Sequence, residues 1–339
     1  MTIEQTRTTE QTQLGETGPK VGRIGLGAMG MSGAYGASDE TESIATIHAA
    51  LDSGATLVDT GDFYGAGHNE MLIRRALAQR PREDYQLSVK FGALRAPDGS
   101  FGGVDTRPEA MRNFLHYSLQ RLGVDYVDIY RPARLDPAVP IEDTVGAIAE
   151  MVQAGYVRHI GLSEVGAQTL RRAAAVAPIV DLQIEYALIT RGIEREILPT
   201  ARELGIGITA YGVLSRGLLS DSLRANQTFA PDDFRAHSPR FQGENLTTNL
   251  RLVSALAEIG DRHGVSVAQL AIAWVLTRGA DIVPLIGARR VDRWTEAVAA
   301  LEVRLSEAEL AAIEAAAPAE AVAGDRYAAP QMAMLDSER

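Results

Sequence analysis

Along nearly the whole chain, short runs rich in β-branched and aromatic residues alternate with longer stretches whose apolar positions recur at helical spacing. That is the pattern of repeated strand and helix units around a parallel sheet. It predicts eight strands, at residues 23–26, 56–59, 85–90, 126–130, 159–163, 180–185, 207–211 and 282–286. Helical stretches fall between them, among them 41–53, 70–79, 108–122, 142–154 and 193–204. Thr106, ahead of Pro108 and Glu109, reads as the N-cap of the third of these. Gly123, Gly155 and Gly205 stand where helices should stop, because glycine tolerates the left-handed conformation of a C-terminal cap.

Eight strands with a helix after each argue for a single α/β domain closed into a (β/α)8 barrel, the TIM-barrel architecture, rather than a doubly wound open sheet. Gly25, Gly27 and Gly30 match the glycine spacing of a dinucleotide-binding loop. No clear helix starts there and no acid ends a following strand, so the Rossmann fingerprint is missing. The barrel is expected over 20–339, preceded by a polar tail, 1–19, that reads as disordered. Two stretches, 215–249 and 320–339, exceed ordinary connections and are candidate lids or substrate-binding loops.

Composition narrows the classes of function. A net charge of -11 disfavours nucleic acid, whose phosphates are bound by clustered Lys and Arg. Small anions remain open, since a few local arginines and helix N-termini capture them whatever the global charge. No apolar run is long enough for a membrane span and the first residues lack a secretory core, so a cytoplasmic location is expected. With 0 cysteines there are no disulfides, thiolate nucleophiles or Cys-metal sites, and the 6 histidines show no ligand spacing, so no metal is expected. A homo-oligomer is compatible with the sequence.

In a barrel of this kind catalytic side chains come from the C-terminal ends of strands. Asp59 closes the second strand, Lys90 closes the third, and Tyr64 follows in GATLVDTGDFYG, so all three should face one mouth. A tyrosine is a poor proton donor at neutral pH unless a neighbouring ammonium lowers its pKa. Lys90 would supply that charge and Asp59 would hold Lys90 protonated, giving a relay able to protonate a carbonyl oxygen as hydride arrives at carbon. The plainer alternative is a buried Asp-Lys pair with a tyrosine packed beside it.

These segments resemble the aldo-keto reductase family. GATLVDTGDFYGAGHNE is similar to its second-strand signature and SVKFG to its catalytic lysine segment, and AGYVRHIGLSEV, DLQIEYAL, AYGVLSRGLL and VPLIGARRVDRWTE follow in the family's order from about Lys20 to Ala317. The resemblance implies NADP(H)-dependent reduction of a small aldehyde or ketone, with Asp59, Tyr64 and Lys90 as members of the catalytic tetrad and Tyr64 as general acid. The fourth member should be histidine, but DYVDIYRPARLDP places Ala133 there. Arg134 is the candidate to replace the lost donor. The Ala-Arg pattern is similar to pyridoxal-reductase-like members.

For the nucleotide, the resemblance implies Ser163, Glu164 and Gln183 at the nicotinamide carboxamide, Tyr211 stacked on the ring, and further contacts from Gly27, Met29, Leu214, Arg216, Gly217 and Gly287. Arg289, Arg290 and Arg293 stand beside a helix start, where guanidinium and amide donors together favour a phosphate, here the adenosine 2′-phosphate. Glu296 is expected at the adenine or ribose. Met31, Phe63, Phe91 and Arg134 are expected to line the substrate pocket. Ala133 also favours a competing reading, a weakly catalytic or non-catalytic NADP(H)-binding regulatory subunit, and a third is reduction of an activated double bond.

Overall fold

The computed structural model describes residues 10–224, 227–231 and 233–339. Eight parallel strands close into a barrel: β1 (Gly25–Gly27), β2 (Leu57–Gly61), β3 (Gln86–Phe91), β4 (Val127–Pro132), β5 (Val157–Ser163), β6 (Ile179–Glu185), β7 (Gly207–Tyr211) and β8 (Ile282–Ile286). Each lies where the hydrophobic pattern puts it, with ends shifted by no more than two residues. Strands β2, β4, β6 and β8 are buried throughout, because helices cover the outer face and side chains fill the interior. The fold is a (β/α)8 barrel.

The surrounding helices are α1 (Glu40–Asp52), α2 (His68–Leu77), α3 (Pro108–Leu122), α4 (Ile141–Gln153), α5 (Ala167–Ala174), α6 (Ile197–Glu203), α7 (Gly243–His263), α8 (Val267–Thr277), α9 (Val291–Ala299) and α10 (Glu307–Ala316). Two of them, α7 and α8, lie between β7 and β8, where one helix was expected. Gly123 caps α3 at φ 69° as anticipated, but Thr106 is not the N-cap. Arg107 holds that position without a side-chain bond, and the buried Thr106 hydroxyl instead meets Thr144 at 3.1 Å, tying the start of α3 to α4. Among the described residues no helix is long and apolar enough to cross a membrane.

The expected disordered tail is structured from residue 10 onward; residues 1–9 lie outside the described residues. Gln11–Gln13 pairs antiparallel with Lys20–Gly22. Leu14 and Val21, both 0% exposed, pack with Leu57, Ile129, Val180, Val283 and Leu285 to seal the bottom of the barrel. Gly15 makes the seal feasible: it sits at φ 64°, and a Cβ there would lie 2.2 Å from the Val180 carbonyl oxygen.

At the opposite end, the two long stretches are largely ordered. The first ends at Gln242, where α7 begins, and the Phe234 amide donates to the Ala34 carbonyl at 3.2 Å. The C-terminal stretch forms short turns that dock on the strand ends. Asn249 binds Ala323 through both its amide nitrogen and its oxygen, the Gly166 amide donates to Asp336 at 2.8 Å, and Leu335 is buried.

Candidate active site

Parallel pairing explains how distant residues converge. Asp59 on β2 is level with Ser88 on β3, and Lys90 lies two residues further on, so all three side chains point into the barrel. Asp59 receives hydrogen bonds from Lys90 Nζ, from Ser88 Oγ at 2.8 Å and from Gln183 Nε2 at 2.7 Å. Asp59 and Lys90 are both buried. Burial pulls the Lys90 ammonium's pKa down, while the charge and hydrogen bond of Asp59 push back.

Tyr64 sits in a turn just beyond β2, its ring edge-on to Phe63 at 4.8 Å and its centroid 5.1 Å from Lys90 Nζ. The sequence led to the expectation that Lys90 lowers the phenol's pKa. The structure gives the opposite direction: burial, then the negative charge of Asp59, push Tyr64 well above its ordinary value, with Arg134 pulling the other way. The physical reason is first the burial of the phenol, which disfavours the phenolate, and then the nearby Asp59 carboxylate.

Below this trio runs a polar layer that sequence reasoning missed. Arg131, on β4 and fully buried, donates to Asp181 at 2.8 Å and to Ser88 Oγ at 2.8 Å, and Thr209 also donates to Asp181. Its signal was an arginine inside an otherwise apolar strand, VDIYRP, which can be buried only with a carboxylate partner. Gly161 leaves room for the pair, since a Cβ there would come within 2.5 Å of Asp181 Oδ1.

Ala133 is buried at the end of β4, its amide donating to the Phe91 carbonyl at 2.8 Å. Arg134, half-buried, donates to the Ala133 carbonyl at 2.7 Å and lies 3.4 Å from the Tyr327 hydroxyl. Burial disfavours its charge, but Tyr327, Tyr211 and Glu164 outweigh that and raise its pKa above the usual arginine value. Of the expected pocket residues, Phe63 flanks Tyr64. Met31 and Phe91 do not line an open pocket: both are 0% exposed, and Phe91 stacks on Tyr130 at 4.5 Å.

Ser163 ends β5 beside Gln183 on β6, and Tyr211 ends β7. Glu164 follows Ser163 at φ 54° and is fully buried. It accepts from Arg326 at 2.9 and 2.7 Å, from Ser337 at 2.6 Å and from the Tyr211 hydroxyl at 2.6 Å. Burial opposes its ionisation, yet Arg326 prevails and holds the carboxyl well below the usual range. The Tyr211 hydroxyl also meets that of Tyr327 at 2.8 Å. Arg326 and Tyr327 were not anticipated, because their partners lie more than a hundred residues away in the chain.

Gly27 ends β1 level with Asp59, and Met29 begins the 3-10 turn after it. Leu214 precedes the turn Ser215–Gly217 after β7, within which Arg216 donates to the Arg326 carbonyl at 2.9 Å. Gly287 and Arg289 lie between β8 and α9, with Arg289 on the carbonyls of Gly36 and Ala37 at 3.1 and 3.0 Å. Arg290 pairs with Asp292 and Arg293 with Glu296, while the first amide of α9, on Val291, donates to Glu42 at 3.0 Å. The three arginines therefore do not converge on one point. Among the described residues no group of three or more His, Asp or Glu is placed to hold a metal ion.

A closed parallel barrel that gathers a tyrosine, a lysine and an aspartate at the C-terminal ends of its strands has the layout of a barrel enzyme. The aldo/keto reductase family model matches residues 23–318, and the chain belongs to that family of oxidoreductases. It is 42% identical over 321 residues to a probable aldo-keto reductase 1 from Glycine max, a match covering 94% of this chain and 92% of the relative. Among solved structures it is similar to a glycerol dehydrogenase from Gluconobacter oxydans, with TM-score 0.81 and 30% identity over 90% of this chain and 94% of that one. A thermostable aldo-keto reductase solved with the inhibitor epalrestat matches with TM-score 0.73 and 29% identity over 91% and 100% of the two chains. Membership supports carbonyl reduction with a nicotinamide cofactor.

Proposed function

We propose that the protein reduces a small aldehyde or ketone to the alcohol with NADPH, with Tyr64 as general acid, as a cytoplasmic enzyme. The observation that carries this reading is Lys90, fixed on Asp59, with its ammonium 5.1 Å from the centre of the Tyr64 ring. A phenol whose pKa stands high is protonated through neutral pH and so has a proton to give. As that proton leaves, the Lys90 and Arg134 charges stabilise the phenolate. Arg134 also provides the positive potential toward a developing alkoxide that a histidine at Ala133 would have given.

The residues present fit a nicotinamide dinucleotide phosphate. Ser215 Oγ is buried without a partner among the described residues. Ser215, Arg216 and Gly217 take successive positive φ values of 45°, 57° and 89°, a strained turn that carries this free hydroxyl and suits it to an anion such as the pyrophosphate. Leu214 and Gly287 border this region, and Gly27 and Met29 border Asp59. Ser163 and Gln183 offer polar groups for the carboxamide and the Tyr211 ring offers a flat face, whereas Glu164 is taken up by Arg326, Ser337 and Tyr211 and acts there by holding the Tyr211 hydroxyl. When bound, the nicotinamide supplies the hydride. Arg290 and Arg293, 63% and 54% exposed, are held only by surface ion pairs that release at little cost, so with Arg289 they can turn to a 2′-phosphate while Glu296 meets the ribose.

Following NADPH absorbance across a panel of small aldehydes tests the reading, with Tyr64→Phe as control. Turnover that vanishes in the variant while nucleotide affinity persists supports it. A variant that keeps most of its kcat removes Tyr64 as the acid. The buried methyl of Ala133, which donates nothing, favours one second reading, a non-catalytic NADP(H)-binding subunit. Tight nucleotide binding with no aldehyde turned over selects that reading.

A further inference from the structure

The cations around the barrel mouth are not equivalent. Lys90 is neutralised by Asp59, Arg326 by Glu164, and Arg216 and Arg240 share Glu185. Arg289 makes no ion pair among the described residues but is held by the carbonyls of Gly36 and Ala37, which leaves Arg134. Its contacts are the adjacent Ala133 carbonyl and a long approach to the Tyr327 hydroxyl, and among the described residues no carboxylate joins it in an ion pair. The Ala133 amide on the carbonyl of Phe91, one residue beyond Lys90, sets Arg134 at the ends of β3 and β4, and its charge acts on both Tyr64 and Lys90.

A planar guanidinium has five N–H donors, and those of Arg134 are largely unused. The group is half-buried, and a partly desolvated charge gains most from a direct counter-ion. Tyr327 adds a hydroxyl on the same side, with its ring braced by the Arg216 guanidinium at 4.6 Å and its oxygen by Tyr211 at 2.8 Å. The alanine at 133 adds no polar group to this fork.

Resting on the carbonyl-reductase reading above, we propose that Arg134 and the Tyr327 hydroxyl form a carboxylate receptor, so that the favoured substrates are small aldehydes or ketones that also carry a carboxylate. The carboxylate completes the missing ion pair and anchors the molecule while its carbonyl faces Tyr64. Neutral carbonyls leave Arg134 with only the longer-range charge of Glu164 and bind more weakly.

The test compares matched probes, 4-carboxybenzaldehyde with benzaldehyde and succinic semialdehyde with butanal, at saturating NADPH. The wild-type enzyme should favour the carboxylated member of each pair in kcat/KM by about tenfold or more, the scale of a charge-assisted hydrogen bond. Arg134→Met should lower kcat for both members of each pair, as the lost potential at the alkoxide requires, and beyond that should erase the ratio through the KM of the carboxylated probe; Arg134→Lys should restore part of it. A wild-type preference for the uncharged members overturns the proposal. So does an Arg134→Met variant that slows both members equally, since that is the signature of carbonyl polarisation alone. Benzoate binding to the NADP+-loaded protein, read by calorimetry, separates this inference from the reading beneath it. If no aldehyde is turned over, carbonyl reduction fails, yet benzoate binding that weakens at least about tenfold in Arg134→Met still supports the receptor. Benzoate binding that is absent or unchanged overturns it.

Discussion

Replacing Asp59 by asparagine removes the charge that keeps Lys90 an ammonium while changing almost no volume. Three donors converge on the Asp59 carboxylate, from Lys90, Ser88 and Gln183. Breaking one side of a buried ion pair costs about 3–5 kcal/mol, a large share of the roughly 5–15 kcal/mol that holds a domain folded. In the variant nothing offsets the burial that already pulls Lys90 down, so its pKa in the folded state falls further below that of the unfolded chain, and between those two values the folded protein holds Lys90 neutral while the unfolded chain keeps it protonated. The unfolded state then binds more protons, and stability rises with pH. The deficit relative to wild type should be largest below the Lys90 pKa of the folded variant and shrink by about 1.4 kcal/mol per pH unit between that value and the Lys90 pKa of the folded wild type. Urea melts of both proteins at several pH values from neutral to strongly alkaline measure it. A deficit below about 1 kcal/mol that does not change with pH would refute the reasoning, because it would match an ordinary surface pair.

Because Tyr64 is pushed upward, carbonyl reduction, which needs the phenol, should hold level into alkaline pH, while alcohol oxidation, which needs the phenolate, should climb; parallel profiles in the two directions contradict this assignment. NADPH should bind more tightly than NADH, and Arg293→Ala should narrow the difference, with equal affinities in the unmutated protein removing the 2′-phosphate assignment. Leu14→Ala should cost about 2–5 kcal/mol in a denaturant melt, as for other fully buried leucines, and a loss of a few tenths would show that the hairpin is not part of the core.

The eight strands were legible because a strand buried on both faces must be written in apolar, β-branched residues between turn signals. Asp59, Tyr64 and Lys90 were legible because they lie at or just beyond strand ends, where side chains meet the mouth. The hairpin was not, since Gln11–Gln13 has no apolar alternation and its order comes from Leu14 and Val21 reaching the barrel floor. The direction of the Tyr64 shift was equally hidden: it depends on how deeply the phenol is buried and how near Asp59 stands, which only the three-dimensional arrangement reveals. Arg326 and Tyr327 acquire meaning only through Glu164 and Tyr211.

The polar layer inside the barrel also constrains how this chain can change over generations. Lys90, Asp59, Ser88, Arg131, Asp181 and Thr209 form one unbroken string of hydrogen bonds, with Gly161 left bare to admit Arg131 and Asp181. Altering Arg131 alone strands a carboxylate, altering Asp181 alone strands a guanidinium, and enlarging Gly161 alone evicts both. Selection therefore meets these positions as a block. Libraries that randomise them one at a time should return almost nothing, whereas libraries that exchange Arg131, Asp181 and Gly161 together for a packed apolar set open a route to barrels that single steps cannot reach.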